Sequence, residues 1–249
     1  MKPIVYSLLL TALLGACSKS SDSSISPGAG VGGSTARFTI AGNTLYLVSS
    51  TTLRTYDITQ SRDPKPGDKT KLGIGVETIF PYRNHLFIGT QTGMLIYEIG
   101  ANGQPKYISQ YAHIQSCDPV VVQGDYAYVT LRNGTACNPR ANNVLDVLDI
   151  RDLRTPKMVR SYPMSSPHGL GVDGNLLFVT EGDEGLRMMD ATRPTDLREI
   201  QHLTDVRAYD VIPTEKLLIV MGKDGIYQYS YADPTKLKLL SKLIVTPSL

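Results

Sequence analysis

Glu77, Asp118 and His168 are the residues of this 249-residue chain whose types and spacing can do chemistry together. Each stands about ten positions ahead of a large strand residue in an internal repeat, and Ala36 and Ala208 hold the two other equivalent places. If the repeats close around an axis, these five residues ring its mouth. Two carboxylates and an imidazole there can hold a divalent cation, or act as acid and base in a metal-dependent hydrolysis or lyase reaction. The same types also serve as strand-start groups that cap loop amides or bind channel water, and spacing alone does not separate the two roles. The acidic run Glu181-Gly182-Asp183-Glu184 could touch calcium but lacks the spacing of an EF-hand loop, so a solvated turn is expected there. His85, His113 and His202 have no matching partners, and no Gly-x-Ser-x-Gly elbow, phosphate-binding loop or His-Glu-x-x-His pair is present. No cofactor is expected apart from such a cation.

The elements that position these residues are short strands. Helical periodicity is scarce, whereas alternating runs of Val, Ile, Leu, Tyr and Phe recur between turn residues. One strand type runs Thr44-Leu45-Tyr46-Leu47-Val48, His85-Leu86-Phe87-Ile88-Gly89, Tyr126-Ala127-Tyr128-Val129-Thr130, Leu176-Leu177-Phe178-Val179-Thr180 and Lys216-Leu217-Leu218-Ile219-Val220. Its large central residue steps by about 41, 41, 50 and 40 positions, a period that signals propeller blades. A second type follows each copy, as in Leu53-Arg54-Thr55-Tyr56-Asp57 and Leu186-Arg187-Met188-Met189-Asp190. A strand before and a strand after complete a four-stranded unit. Gly-Asn or Gly-Asp turns join the first two strands at Gly42-Asn43, Gly124-Asp125 and Gly174-Asn175, and a proline-bearing turn follows the third strand.

A lone four-stranded sheet cannot cover both its faces, so five units packed about an axis bury one another. The chain is therefore expected to be all-β, a five-bladed β-propeller over residues 35–249, and monomeric. Strand alternation puts the connection between blades and the loop between second and third strands on one face. In the third unit that loop, residues 131–143, is about ten residues longer than its counterparts, which marks a binding face.

The N-terminus reads as a secretory signal, with Lys2 ahead of an apolar run at 4–14 that is too short to span a bilayer. Leu14-Gly15-Ala16-Cys17 resembles a bacterial lipobox, which implies cleavage after residue 16 and a diacylglyceryl group on the Cys17 sulfur. Residues 17–34 are rich in Ser and Gly and read as a flexible tether. Ser18 and Lys19 do not resemble an inner-membrane retention signal, so an outer-membrane lipoprotein facing the periplasm is expected. Cys117 and Cys137 remain, an even pair on the insertion face of one blade. A disulfide would close a loop of about 20 residues and contribute roughly 3 kcal/mol. A metal-binding thiol pair is the other use, although such sites want four ligands.

Strand three and its turn, seen in Gly185-Leu186-Arg187-Met188-Met189-Asp190-Ala191-Thr192-Arg193-Pro194 and Val144-Leu145-Asp146-Val147-Leu148-Asp149-Ile150, resemble the LVIVD repeat of bacterial and archaeal cell-surface proteins. Thr52 and Asn143 depart from that family's leading glycine, and Glu98 and Ser230 from its aspartate. The resemblance implies an exported propeller of largely unknown role and supplies no active site. The near-balanced charge, formally +2, forms no basic stripe and speaks against nucleic acid. With no catalytic motif, a binding module for a protein, peptide or glycan at the cell envelope is the leading expectation. The metal-dependent enzyme and a purely structural lipoprotein are the alternatives.

Overall fold

The computed structural model describes residues 33–73, 75–112, 119–134 and 142–245. The signal at 1–16, Cys17, most of the tether, Cys117, Asp118 and Cys137 lie outside them. Five antiparallel four-stranded sheets follow in chain order, each with its strands side by side in sequence order. Blade 1 holds β1 (Phe38–Ala41), β2 (Thr44–Val48), β3 (Thr52–Asp57) and β4 (Lys65–Lys71). Blade 2 holds β5 (Val76–Tyr82), β6 (His85–Thr90), β7 (Gly93–Ile99) and β8 (Pro105–Ala112). Blade 3 holds β9 (Val120–Gln123), β10 (Tyr126–Leu131), β11 (Val144–Asp149) and β12 (Lys157–Pro163). Blade 4 holds β13 (Leu170–Asp173), β14 (Leu176–Thr180), β15 (Leu186–Asp190) and β16 (Arg198–Leu203). Blade 5 holds β17 (Ala208–Thr214), β18 (Leu217–Gly222), β19 (Gly225–Ser230) and β20 (Lys238–Ile244). The five-bladed propeller expected from the repeat is the fold observed. Every blade carries a register shift between its third and fourth strands, opposite residues such as Val147 and Met188.

The inner strands β1, β5, β9, β13 and β17 bring the blades against one another, because side chains alternate across each sheet and both faces of an inner blade are apolar. Tyr46, Val48 and Leu53 of blade 1 pack on Ile79, Leu86 and Ile88 of blade 2. Phe87 and Ile96 then meet Val122 and Val129 of blade 3, Tyr128 and Val147 meet Leu177 and Val179 of blade 4, and Phe178 and Met188 meet Leu218 and Val220 of blade 5. A tyrosine hydroxyl bridges each of these four contacts. Tyr46 donates to the Gly103 carbonyl at 2.8 Å, and Tyr231 to Asp173 at 3.1 Å. The Tyr82 and Tyr162 oxygens accept the Gly124 and Leu197 amides at 2.7 and 2.8 Å.

Between blade 5 and blade 1 the packing differs from the closed ring that the repeat implies. Among the described residues no buried apolar cluster joins these two blades. The burial pattern shows the same thing. β14 is buried at every position and β6 and β10 at all but the first, whereas β2 and β18 bury mainly alternate residues and leave Leu47, Leu217 and Met221 exposed. The physical reason is that each terminal blade has one neighbour and therefore one covered face. Polar contacts at the axis join the ends instead. Ser34, only 1% exposed, donates to Asp210 of β17 at 3.3 Å and accepts the Leu170 amide of β13 at 2.6 Å. Thr35 donates to the other Asp210 oxygen at 2.5 Å. Gly33 and Ser34, which composition places in the tether, are thus buried at the centre of the blades.

Candidate functional site at the axial mouth

The starts of the inner strands and the loops beside them enclose a cavity of about 190 Å³ on the insertion face, to which all five blades contribute. Glu77 and His168 both line it, together with Thr35, Arg37, Arg132 and Tyr209. Asp118 lies outside the described residues. The neighbours Arg37 and Tyr209, rather than Ala36 and Ala208, face the cavity from blades 1 and 5.

The geometry assigns a state to each of the two predicted groups. Nδ1 of His168 is 2.7 Å from the Ser166 carbonyl, which can only accept, so Nδ1 carries the proton. Nε2 is 2.6 Å from a guanidinium nitrogen of Arg132, which can only donate, so Nε2 is an acceptor and the ring is neutral. Burial depresses the His168 pKa, the bond to Ser166 opposes this, and the Arg132 charge lowers it further. Tyr209 packs edge-on against the ring with centroids 5.1 Å apart, and a Cβ on Gly182 would fall 2.7 Å from it. Glu77 accepts a bond from Arg37 at 3.0 Å and one from the Gln91 amide at 3.3 Å. Among the described residues no group of three His, Cys, Asp or Glu is close enough to hold a metal ion. The mouth presents an ordered rim of guanidinium, carboxylate, imidazole and phenol groups that bind one another, suited to recognising a polar ligand.

Asp210, below the rim, is buried and its pKa is raised by that burial, against bonds from Thr35, its neighbour's amide and Ser34 that lower it. Glu181 corrects the expectation of a solvated turn at 181–184. Its side chain is fully buried, accepts the Ser165 amide at 2.7 Å and pairs with Arg187, which also holds Glu199. A charge so buried needs such partners; Glu181 therefore anchors the strand entering blade 4, and only Asp183 and Glu184 face solvent. At the described ends of the insertion, Asn143 accepts the Asn133 amide at 2.7 Å and donates to the Ser165 carbonyl. A larger cavity, about 540 Å³, opens on the other face between turns of blades 1 and 2. It is lined by turn residues such as Asn43, Asn84 and Asn102, and Asp57 there is tied to the Thr59 amide at 2.8 Å. Among the described residues, side chains from all five blades converge at the axial mouth.

Arg132 and Tyr209 were not legible as site residues. Arg132 lies in the insertion at 131–143, where the other repeats offer no equivalent position to align it with. Tyr209 is one position out of the equivalence that picked Ala208.

Residues 116–163 match the LVIVD repeat profile. The matched segment contains all four strands of blade 3. The structure explains two residues of the LVIVD pattern. The glycine that opens the third strand adopts positive φ, +104° at Gly185, and a Cβ there would lie 1.9 Å from the Leu203 carbonyl of the neighbouring strand. The aspartate that ends the third strand caps the turn. Asp149 and Asp190 accept the amides two residues on at 3.0 and 2.8 Å, and the side chains of Arg151 and Thr192, together with these amides, hold the two carboxylates below their usual range. Ser230 does the same for Ala232 at 3.3 Å, so the departure in blade 5 keeps the bond. No curated protein matches the chain. Among solved structures, a protein from Lactobacillus plantarum superposes with TM-score 0.64 at 17% identity, over 82% of this chain and 69% of that one. The periplasmic gluconolactonase PpgL of Pseudomonas aeruginosa gives 0.61 at 13% identity, over 82% and 68%. BamB from Moraxella catarrhalis gives 0.52 at 13% identity, over 82% and 59%. These likenesses extend to the fold.

Proposed function

We propose that the propeller is a binding module of the cell envelope that engages a protein, peptide or glycan through the axial mouth and the insertion at 131–143. One observation carries this proposal: the described polar groups of the mouth are held in fixed states by one another, with His168 neutral between Ser166 and Arg132 and Glu77 between Arg37 and Gln91. That is the pre-organisation a recognition surface uses. Loops on a rigid scaffold are where propellers vary, and the insertion emerges beside this cavity. The supporting experiment is affinity capture from envelope extracts with the wild-type chain and with a variant whose 131–143 loop is shortened. Loss of specific partners in the variant is expected, and an unchanged set of partners refutes the proposal.

The lipobox supports attachment to the outer membrane through an acylated Cys17. Mass spectrometry of the mature N-terminus tests this, and Cys17→Ala is expected to release the protein from membranes. The metal-dependent alternative requires Glu77 and His168 to leave their present partners. It predicts bound calcium or zinc in elemental analysis of the purified protein, and the binding-module proposal predicts none.

A further inference from the structure

Apart from the open seam between blades 5 and 1, the blades meet at four packed joins, and three of these carry the same plug. In blades 3, 4 and 5 the turn after the third strand sends one leucine into the cluster shared with the preceding blade. Leu153 packs on the cluster that holds Ile96 of blade 2, Leu197 belongs to the one that holds Leu145 of blade 3, and Leu237 to the one that holds Phe178 of blade 4. The turn of blade 2 reads Gly100-Ala101-Asn102-Gly103-Gln104 and has no leucine to insert. Gly103 meets blade 1 in its place, its carbonyl accepting the Tyr46 hydroxyl at 2.8 Å. A side chain cannot be added there, because φ is +75° and a Cβ would fall 2.1 Å from the Thr44 hydroxyl oxygen. The cavity of about 540 Å³ between blades 1 and 2 lies at this unplugged join. Its size is that of a small-molecule site, roughly 300–1,000 Å³.

The chemistry of the lining is that of neutral amides. Asn43 and Asn84 come from the turns between first and second strands of blades 1 and 2, and Asn102 and Gln104 from the turn after the third strand of blade 2. Among the described residues none of these four side chains has a hydrogen-bond partner, so each keeps two N–H donors and a carbonyl acceptor for what enters the cavity. The two charged residues of the lining are of opposite sign and already engaged. Asp57 accepts the Thr59 amide at 2.8 Å, while Arg83 pairs with Asp125 of blade 3 at 3.9 Å and lies over the Tyr82 ring. The cavity therefore offers no net charge to an ion. A carboxamide presents donor and acceptor side by side, and a sugar hydroxyl is both at once, so several amides around an uncharged cavity match a ring of hydroxyls. Ala41 and Ile99 add apolar surface for the C–H face of such a ring.

We propose that this cavity is a saccharide-binding site that takes a short, uncharged sugar. It opens on the face opposite the axial mouth and shares no lining residue with it, so it stands or falls independently of what the mouth binds.

Side-chain amide resonances of the isotope-labelled protein, purified as the cell exports it, provide the test. The probes are glucose, maltotriose, N-acetylglucosamine and the N-acetylglucosamine trimer. Shifts centred on Asn43, Asn84, Asn102 and Gln104 are expected with at least one of these sugars, at a dissociation constant of about 1 mM or below. The double variant Asn84→Ala, Asn102→Gly should weaken that binding at least ~10-fold. Both residues are exposed and glycine suits the φ of +62° at position 102, so the variant should melt near the wild type. Gln104→Leu, which gives this turn the residue type that plugs the other joins, should weaken binding as well. Asn175→Ala, at the equivalent exposed turn position of blade 4, should leave it unchanged. Silence with every one of these sugars at about 10 mM overturns the proposal. So does binding that survives the double variant or that Asn175→Ala weakens equally. Shifts at the four amides with alanine tripeptide and none with the sugars would assign the cavity to peptides and overturn it too.

Discussion

His168 is neutral because its two ring nitrogens face a carbonyl and a guanidinium, and burial reinforces that state. Its folded pKa is below the unfolded value near 6.5, so the unfolded chain binds a proton first and stability falls as pH drops through and below about 6.5. Thermal melts of wild type and His168→Gln between pH 7.5 and 5 are expected to diverge, with the wild type losing more. Asp210 has the opposite sign: its raised pKa means that its contribution is present in acid and is lost as pH rises above about 4. Asp210→Asn, which removes the titration and keeps an acceptor oxygen for one of the Ser34 and Thr35 hydroxyls, should flatten that part of the profile. Glu181→Ala leaves two amides and the Arg187 guanidinium without their buried acceptor, and a loss of about 3 kcal/mol in denaturant unfolding is expected. The ring positions Glu77 and His168 were legible in the sequence because the repeat aligns them. The burial of Glu181 was not, since an acidic run followed by glycine reads as solvent-facing until Arg187 on the next strand is placed beside it.

At the scale of strands and turns, the repeat pattern reports backbone requirements. The Gly185 position combines positive φ with a carbonyl where a Cβ would go, so Gly185→Ala should destabilise by more than about 2 kcal/mol, read from the urea midpoint. Gly93 and Gly225 repeat this geometry in blades 2 and 5, with the same close carbonyl from the fourth strand. The tyrosine bridges belong to this scale too. Tyr162→Phe leaves the Leu197 amide without its acceptor, and a loss of about 1 kcal/mol is expected. Blade number and strand order were legible because each blade repeats the same alternation, and the glycine turn was legible in blades 1, 3 and 4, whereas Arg83 and Glu215 take the positive φ in blades 2 and 5. The axial role of Ser34 was not, because a serine among glycines has the composition of a linker whether or not its hydroxyl is buried against Asp210.

At the scale of the molecule, the alternation that revealed the blades also concealed the seam. Phe38 and Leu47 follow the same inside–outside pattern as the residues of inner blades, so sequence alone cannot show that nothing covers them. The seam follows from counting faces in three dimensions: five blades, four packed contacts, and one join made by Ser34, Thr35 and Asp210. A molecule built this way behaves less like a wheel than like a row of bricks bent round on itself, in which the end bricks touch one neighbour and the middle bricks two. Cooperative stability in such a row is a sum over neighbouring contacts, so opening begins at the ends and moves inward. Amide hydrogen exchange should therefore be slowest in blades 2 to 4 and fastest in blades 1 and 5. Any partner that settles into the seam would give the row a second neighbour at an end, and would slow exchange there before it changed anything else.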